Sequence, residues 1–198
     1  MPPVKLIILG RDGILNHYRD DHVKAADEWL PIAGALEAVS RLNHAGWHAV
    51  VATNQSGIGR GMIDMASVNA VHAHMMTLVQ AAGGRIDAVF FCPHTPEEQC
   101  DCRKPAPGMM RDIGTRYGID LAQVPMVADT LRDLQAARAA GCEPHFVLSG
   151  RATDLSAEQV QTILAQVPGA TAHDDLGALA DHLMRRDHVA DSSSGGLN

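Results

Sequence analysis

Short apolar runs alternate with longer segments of helical periodicity through most of this chain. The runs predict β-strands at residues 5–9, 48–52, 88–91, 125–128 and 145–148. The periodic segments predict α-helices at residues 34–45, 65–82, 108–117, 131–140, 156–166 and 176–184. Repeated strand–helix units of this length are typical of a mainly parallel sheet with helices on both faces. We therefore expect a Rossmann-like three-layer α/β/α sandwich.

The length of the chain predicts one domain. Its 198 residues are enough for one well-buried core and too few for two substantial ones. We expect the domain to cover residues 1–186, followed by a disordered tail at 187–198 that lacks apolar periodicity and is rich in serine. The short inserts favour a monomer.

Composition and charge exclude several classes of partner. The chain is 46% hydrophobic and 20% charged, as in ordinary globular proteins, and its formal net charge of −7 gives no attraction to nucleic acid or an anionic membrane. No stretch approaches the apolar length of a membrane span, and no basic-then-apolar leader opens the chain. We therefore expect a cytoplasmic protein.

Segments with the chemistry of a phosphate site follow several predicted strands. Asp12 and Gly13 follow the first strand, and Gly13 permits a tight turn. The glycine-rich stretch 53–61 follows the second strand and offers hydroxyl, amide and backbone N–H groups that suit a phosphate dianion. Arg103 and Lys104 add two adjacent cations that suit phosphate oxygens.

Two carboxylates complete this pattern. Asp129 and Asp133 follow the fourth strand, and carboxylates are the hard oxygen ligands that magnesium prefers. Each segment alone has an ordinary interpretation as a turn, a polar loop, a solvated ion pair or a helix cap. Their occurrence together, in this order, predicts one phosphate site.

A second constellation lies at residues 92–102. Cys92, His94, Cys100 and Cys102 supply three thiolates and one imidazole, a closed tetrahedral zinc set without an open position for catalytic water. The alternative is a few buried thiols beside a surface histidine. Cys142 follows a predicted helix and is interpreted as an inert core thiol. The other ten histidines are scattered and predict no second cluster.

The stretch 5–16 resembles the first motif of the haloacid dehalogenase superfamily, a strand followed by Asp-x-Asp-Gly. It is most similar to the form found in D-glycero-D-manno-heptose 1,7-bisphosphate phosphatases, and the resemblance covers roughly residues 5–150. The resemblance implies magnesium-dependent removal of the 7-phosphate from a sugar bisphosphate, in the nucleotide-activated heptose route to the lipopolysaccharide core. It also implies a small zinc loop in place of a cap domain. Histidinol-phosphate phosphatases share these motifs and remain an alternative.

The resemblance assigns roles by position. The acid/base residue would be Asp12, with its backbone carbonyl on magnesium, and Asp129 would complete the magnesium site. The transferring phosphoryl group would be held by Thr53 and Lys104. The residues that help to bind substrate would be Asn54, Gln55, Ser56, Arg103 and Lys104. The zinc ligands would be Cys92, His94, Cys100 and Cys102.

The chain departs from the family at its most important position. Gly10 stands where the family has the aspartate that attacks phosphate and binds magnesium. Tyr18 replaces a usual acidic residue, and Ala128 replaces a usual glycine. Three interpretations stay open: an inactive relative that binds sugar phosphate, an enzyme whose aspartate codon has changed by one base, or slow hydrolysis by metal-bound water.

Overall fold

The computed structural model describes residues 4–194 and forms six strands and seven helices within them. The strands are β1 Lys5–Leu9, β2 Trp47–Asn54, β3 Ala88–Cys92, β4 Pro125–Ala128, β5 Glu143–Val147 and β6 Thr171–His173. The helices are α1 Ala35–His44, α2 Ser56–Gly59, α3 Met65–Ala81, α4 Gly108–Tyr117, α5 Leu131–Ala140, α6 Ala157–Ala165 and α7 Leu176–Ser194. The strands form one parallel sheet in the order β3-β2-β1-β4-β5-β6.

The sheet is buried on both faces, as the continuous apolar runs predict. On β1, Ile7 and Leu9 pack with α1, α3 and α7, whereas Leu6 and Ile8 pack with α4 and α5 on the opposite face. A third apolar cluster joins α6 to β5 through Val160 and Phe146. The predicted three-layer α/β/α sandwich is therefore confirmed.

Two elements differ from expectation because they carry little apolar signal. The strand β6 has three residues, of which Thr171 and Ala172 are exposed, so no apolar run marks it. The single turn α2 begins at Ser56, inside the stretch interpreted as a polar loop.

The predicted disordered tail is wrong for residues 187–194. Helix α7 continues to Ser194, and residues 195–198 lie outside the described part of the chain. The carboxylate of Asp187 accepts hydrogen bonds from Trp47 Nε1 and Lys5 Nζ, each at 3.0 Å. These contacts tie the later turns of the helix to the first residues of β1 and β2, a long-range restraint that local composition does not reveal.

Candidate functional site

The predicted site residues lie at the carboxyl edge of the sheet. Strand β1 lies between β2 and β4, so the loops that follow these three strands open at a point where the strand order reverses. Crevices of this kind are where open α/β sheets bind ligands. The loop 10–16, the segment after Thr53 and Asp129 all begin here.

The loop after β1 is a tight turn built around one carbonyl group. The Arg11 carbonyl oxygen accepts hydrogen bonds from the backbone N–H groups of Ile14, Leu15 and Asn16. Gly13 has a φ of +87°, and a Cβ at this position would lie 2.0 Å from Asp129 Oδ2. The glycine is therefore required both by the turn and by the approach of the Asp129 carboxylate.

Asp12 is held as a carboxylate. Its oxygens accept hydrogen bonds from Arg11 Nη2 at 3.0 Å, Asn16 Nδ2 at 2.9 Å and Gln55 Nε2 at 3.0 Å. Burial alone would raise the pKa of Asp12, but the Arg11 charge and the hydrogen bonds outweigh it and hold that pKa below its usual value. Asp12 therefore needs a change in its surroundings before it can donate a proton.

Arg11 is a site residue that the sequence reasoning missed. Its side chain is buried, donates to Asp12 on one side and lies 3.1 Å through Nη1 from His72 Nε2 on the other. Burial, followed by the neighbouring Arg11 charge, lowers the pKa of His72 to about 4, so the ring is neutral and Nε2 accepts from Arg11. The sequence signal was an arginine two residues after an apolar strand.

Asp129 lies where the structure brings β4 and the loop after β5 together. Its Oδ2 atom accepts a hydrogen bond from the Arg151 backbone N–H at 2.9 Å and lies 3.4 Å from Arg151 Nη1. Burial raises the pKa of Asp129 in spite of the Arg151 charge. Arg151 also stacks over Tyr18, with its guanidinium carbon 3.6 Å from the ring centroid. No sequence pattern indicated Arg151 as a site residue.

Lys104 and Asp133 form a buried ion pair. Lys104 Nζ donates to Asp133 Oδ2 at 2.7 Å and to the Ala52 carbonyl at 3.0 Å. Asp133 is fixed at the start of α5, where its backbone N–H donates to the Thr130 hydroxyl. Burial would raise the pKa of Asp133, but the charges of Lys104 and Arg132 lower it. Asp133 is thus the partner of Lys104, a role that the sequence did not predict.

The end of β2 and the residues that follow it contact both Lys104 and Asp12. Asn54 exchanges two hydrogen bonds with the Lys104 backbone, at 3.0 and 3.1 Å. Gln55 Nε2 donates to Thr53 Oγ1 at 2.9 Å as well as to Asp12. Ser56 is buried at the start of α2. Gln55 therefore links Asp12 to Thr53, and Asn54 separately holds the Lys104 backbone.

Arg103 contacts the 92–102 loop instead of these residues. Its Nη1 atom donates to the His94 carbonyl at 3.3 Å, so the side chain contacts the 92–102 loop. A cavity of about 410 Å³ is lined by Arg103, Lys104 and Arg132 among its residues. Three cations around one cavity suit a second anionic group beside Lys104.

Gly10 leaves no carboxylate at the centre of the edge. Its backbone N–H donates to the Val127 carbonyl at 3.2 Å, so the backbone is held by β4. A Cβ at Gly10 would lie 2.9 Å from Ile14 Cγ1, and Ile14 is buried. A side chain at position 10 therefore requires the Ile14 side chain to move.

The carboxylates of this edge do not form a complete magnesium set. Asp12, Asp129 and Asp133 each lie against a protein cation, and Gly10 adds no fourth carboxylate. A dication would thus enter a site whose negative charge is already balanced. Among the described residues, one group of at least three His, Cys, Asp or Glu side chains has its ligand atoms within 4.8 Å of one another. This group consists of Cys92, His94, Cys100 and Cys102.

That group has the dimensions of a zinc site. Sulfur–sulfur distances are 3.1 Å between Cys92 and Cys102, 3.5 Å between Cys92 and Cys100, and 3.6 Å between Cys100 and Cys102. His94 Nδ1 lies 3.3 Å from Cys102 Sγ and 3.6 Å from Cys92 Sγ. Zn–S bonds of about 2.3 Å place tetrahedral sulfur ligands about 3.8 Å apart, close to these values. All the cysteines are free thiols, so the four residues fit zinc.

Sequence comparison relates most of the chain to a set of phosphatases. A family model described as HAD-hydrolase-like matches residues 101–179. The D-glycero-β-D-manno-heptose-1,7-bisphosphate 7-phosphatase of Pseudomonas aeruginosa is 46% identical over 181 residues, which are 91% of this chain and 98% of that protein. The phosphatase of the same name from Bordetella bronchiseptica is 48% identical over 92% of this chain and 99% of its own.

Comparison of structures agrees. The crystal structure of D,D-heptose 1,7-bisphosphate phosphatase from B. bronchiseptica, complexed with magnesium and phosphate, superposes with a TM-score of 0.84 and covers 92% of this chain and 99% of that one, at 48% identity. The Burkholderia thailandensis enzyme gives a TM-score of 0.69 at 45% identity, over 91% of this chain and 98% of its own.

Within the described residues, no helix has the length and apolarity to cross a membrane. Identities of 46% and 48% over nine-tenths of the chain are far above what a shared fold alone produces. The chain therefore belongs to the D-glycero-β-D-manno-heptose-1,7-bisphosphate 7-phosphatase family of haloacid dehalogenase-like hydrolases.

Proposed function

We propose that this protein binds D-glycero-β-D-manno-heptose 1,7-bisphosphate and removes its 7-phosphate slowly, because Gly10 replaces the attacking carboxylate. The observation that carries the proposal is the placement of Asp12, Thr53, Gln55 and Lys104 at the sheet edge, in a chain 46% identical to the P. aeruginosa 7-phosphatase. Gln55 donates to both Asp12 and Thr53, and Lys104 donates to the Ala52 carbonyl, directly before Thr53. Loss of a covalent nucleophile lowers rates by about 10⁴–10⁶ in proteases, and a loss of that order is expected here.

The proposed roles follow from the contacts. Thr53 and Lys104 hold the transferring phosphoryl group, because the buried Lys104 ammonium donates to the carbonyl of Ala52, the residue directly before Thr53. The cavity beside Arg103 takes the rest of the substrate. The further residues proposed to contact substrate are Asn54, Gln55 and Ser56.

Asp12 is proposed as the acid/base residue. Its low pKa is supported by Arg11, Asn16 and Gln55, so the resting carboxylate is ionised. A phosphate dianion beside it would compete for Arg11 and raise the pKa of Asp12 by like-charge repulsion, which would allow it to take up the proton that the leaving oxygen needs.

The two proposed metal sites use different ligands. Asp129 and the backbone carbonyl of Asp12 are the proposed magnesium ligands, and the balanced charge of the edge predicts weaker magnesium binding than in relatives. Zinc at Cys92, His94, Cys100 and Cys102 is proposed as structural, holding the loop that presents Arg103. The monomeric state and the cytoplasmic location stay predictions.

A second function, binding without turnover, is favoured by one observation: Ile14 Cγ1 fills the space beside Gly10. The experiment is phosphate release with magnesium from heptose 1,7-bisphosphate and from histidinol phosphate, with calorimetry on both ligands. We expect tight binding and slow 7-phosphate release for the heptose bisphosphate. Binding without any release would support the non-catalytic alternative, and faster release from histidinol phosphate would contradict the proposed substrate.

A further inference from the structure

Three histidines that are scattered along the sequence converge at the far edge of the sheet. His145 on β5 is the register partner of Thr171 on β6, and His173 follows two residues later on the same face. His182 projects from α7 towards both. The ring centroids are 5.2 Å apart for His145–His173 and His173–His182, and 6.1 Å apart for His145–His182.

The two strand histidines direct ring nitrogens at each other. His145 Nδ1 lies 3.0 Å from His173 Nε2, and the Thr171 hydroxyl lies 2.9 Å from the first atom and 3.3 Å from the second. Zn–N bonds of about 2.1 Å place two tetrahedral nitrogen ligands about 3.4 Å apart. The two nitrogens therefore need to move apart only slightly to bind one ion.

The other nitrogen of His145 is buried without a hydrogen bond. His145 is 4% exposed, and its Nε2 atom has no partner within hydrogen-bond distance in the described residues. The nearest charged group is Glu143 Oε2 at 3.6 Å, which also accepts from Arg186 Nη1 at 2.7 Å. Metal-binding imidazoles usually direct their second N–H at a carboxylate, and Glu143 has that place.

We propose that His145, His173 and His182 form a binding site for a divalent transition-metal ion such as zinc or nickel, separate from the 92–102 loop. Imidazole nitrogen suits these metals. His145 Nδ1 and His173 Nε2 are the first two ligands. No nitrogen of the half-buried His182 lies within 4.8 Å of both these atoms, so His182 supplies the third ligand after its side chain turns towards the pair.

Charged groups of both signs surround the cluster. Glu143 and Asp174 supply negative charge, while Arg185 and Arg186 on α7 oppose it.

The test is nickel titration by calorimetry, at pH 7.5, of the untagged protein loaded with one zinc ion per chain, which fills the thiolate site of the 92–102 loop and leaves the histidine site free. We expect one nickel ion per chain beyond the zinc loop. His182→Gln and His173→Gln should each weaken this binding by about 10-fold or more, since even loss of an orienting partner of a ligand costs about 10–100-fold. His188→Gln, an exposed histidine on the same helix, is the matched control and should leave nickel affinity unchanged.

Two results would overturn the proposal. One is the absence of saturable nickel binding in the folded, zinc-loaded chain. The other is equal nickel affinity in native protein and the His182→Gln variant, which would mean that the ion binds elsewhere. Because His182 is only half-buried, this variant is expected to fold, and circular dichroism checks that it does.

Discussion

Asp133→Asn tests whether the buried ion pair with Lys104 stabilises the site. Lys104 is 3% exposed and its ammonium group lies 2.7 Å from Asp133 Oδ2. Removing one partner of a buried pair costs about 3–5 kcal/mol, because the other charge stays buried without compensation. Asparagine keeps the volume and one acceptor, so we expect the lower value, about 3 kcal/mol. For a chain of this length that corresponds to a melting temperature lower by about 6–12 °C.

The assay is thermal and denaturant unfolding beside Asp112→Asn, an exposed acid on α4 that should change stability little. The pH dependence adds a second check. Because the folded pKa of Asp133 is depressed, its contribution is present above the unfolded value of about 3.9 and is lost as pH falls through the folded value. The gap between native and variant should therefore close below about pH 4. A loss under about 1 kcal/mol at pH 7, typical of exposed pairs, would refute the reasoning.

Two further changes test the loop that follows β3. Cys100→Ser should lower the zinc content from about one ion per chain, and it should also lower the melting temperature, because structural zinc is coupled to folding. Cys142→Ser is the control. If metal analysis finds unchanged zinc in the Cys100 variant, the proposed zinc site is wrong. Arg103→Ala should weaken heptose bisphosphate binding by about 10-fold or more, as expected for a lost charged hydrogen bond. The control variant Arg111→Ala, at an exposed position, should not. If calorimetry finds equal substrate affinities for the native protein and the Arg103 variant, the second anionic group binds elsewhere.

Much of the fold was predictable because buried parallel strands leave continuous apolar runs. Lys5–Leu9 and Pro125–Ala128 match their predicted bounds. Strand β6 and the extension of α7 were missed for a common reason, because both are stabilised by residues that are distant in the sequence. Thr171 lies against His145, and Asp187 is held by Trp47 and Lys5.

The candidate site likewise contains residues that could be predicted from the sequence and residues that could not. The positions of residues at or just after strand ends, such as Asp12, Thr53 and Asp129, were predictable because parallel strands bring their carboxyl ends to one edge. Arg11 and Arg151 were not, because an arginine in a sequence carries no sign of its buried or stacked partner. The histidine cluster is invisible locally, since its members are separated by 28 and 9 residues along the chain.

The central claim is that one missing carboxylate limits an otherwise assembled site. Phosphate release from heptose 1,7-bisphosphate by the Gly10→Asp variant tests it most directly, with Gly10→Ala as the matched control that adds Cβ alone. Because the new Cβ would meet Ile14 Cγ1 at 2.9 Å, the same aspartate is also made with Ile14→Ala. We expect Gly10→Asp to raise kcat/KM by about 10⁴ or more over both native and control, and Asp12→Asn in that background to abolish the gain. If the aspartate variants fold and bind substrate yet release no more phosphate than Gly10→Ala, the account is contradicted.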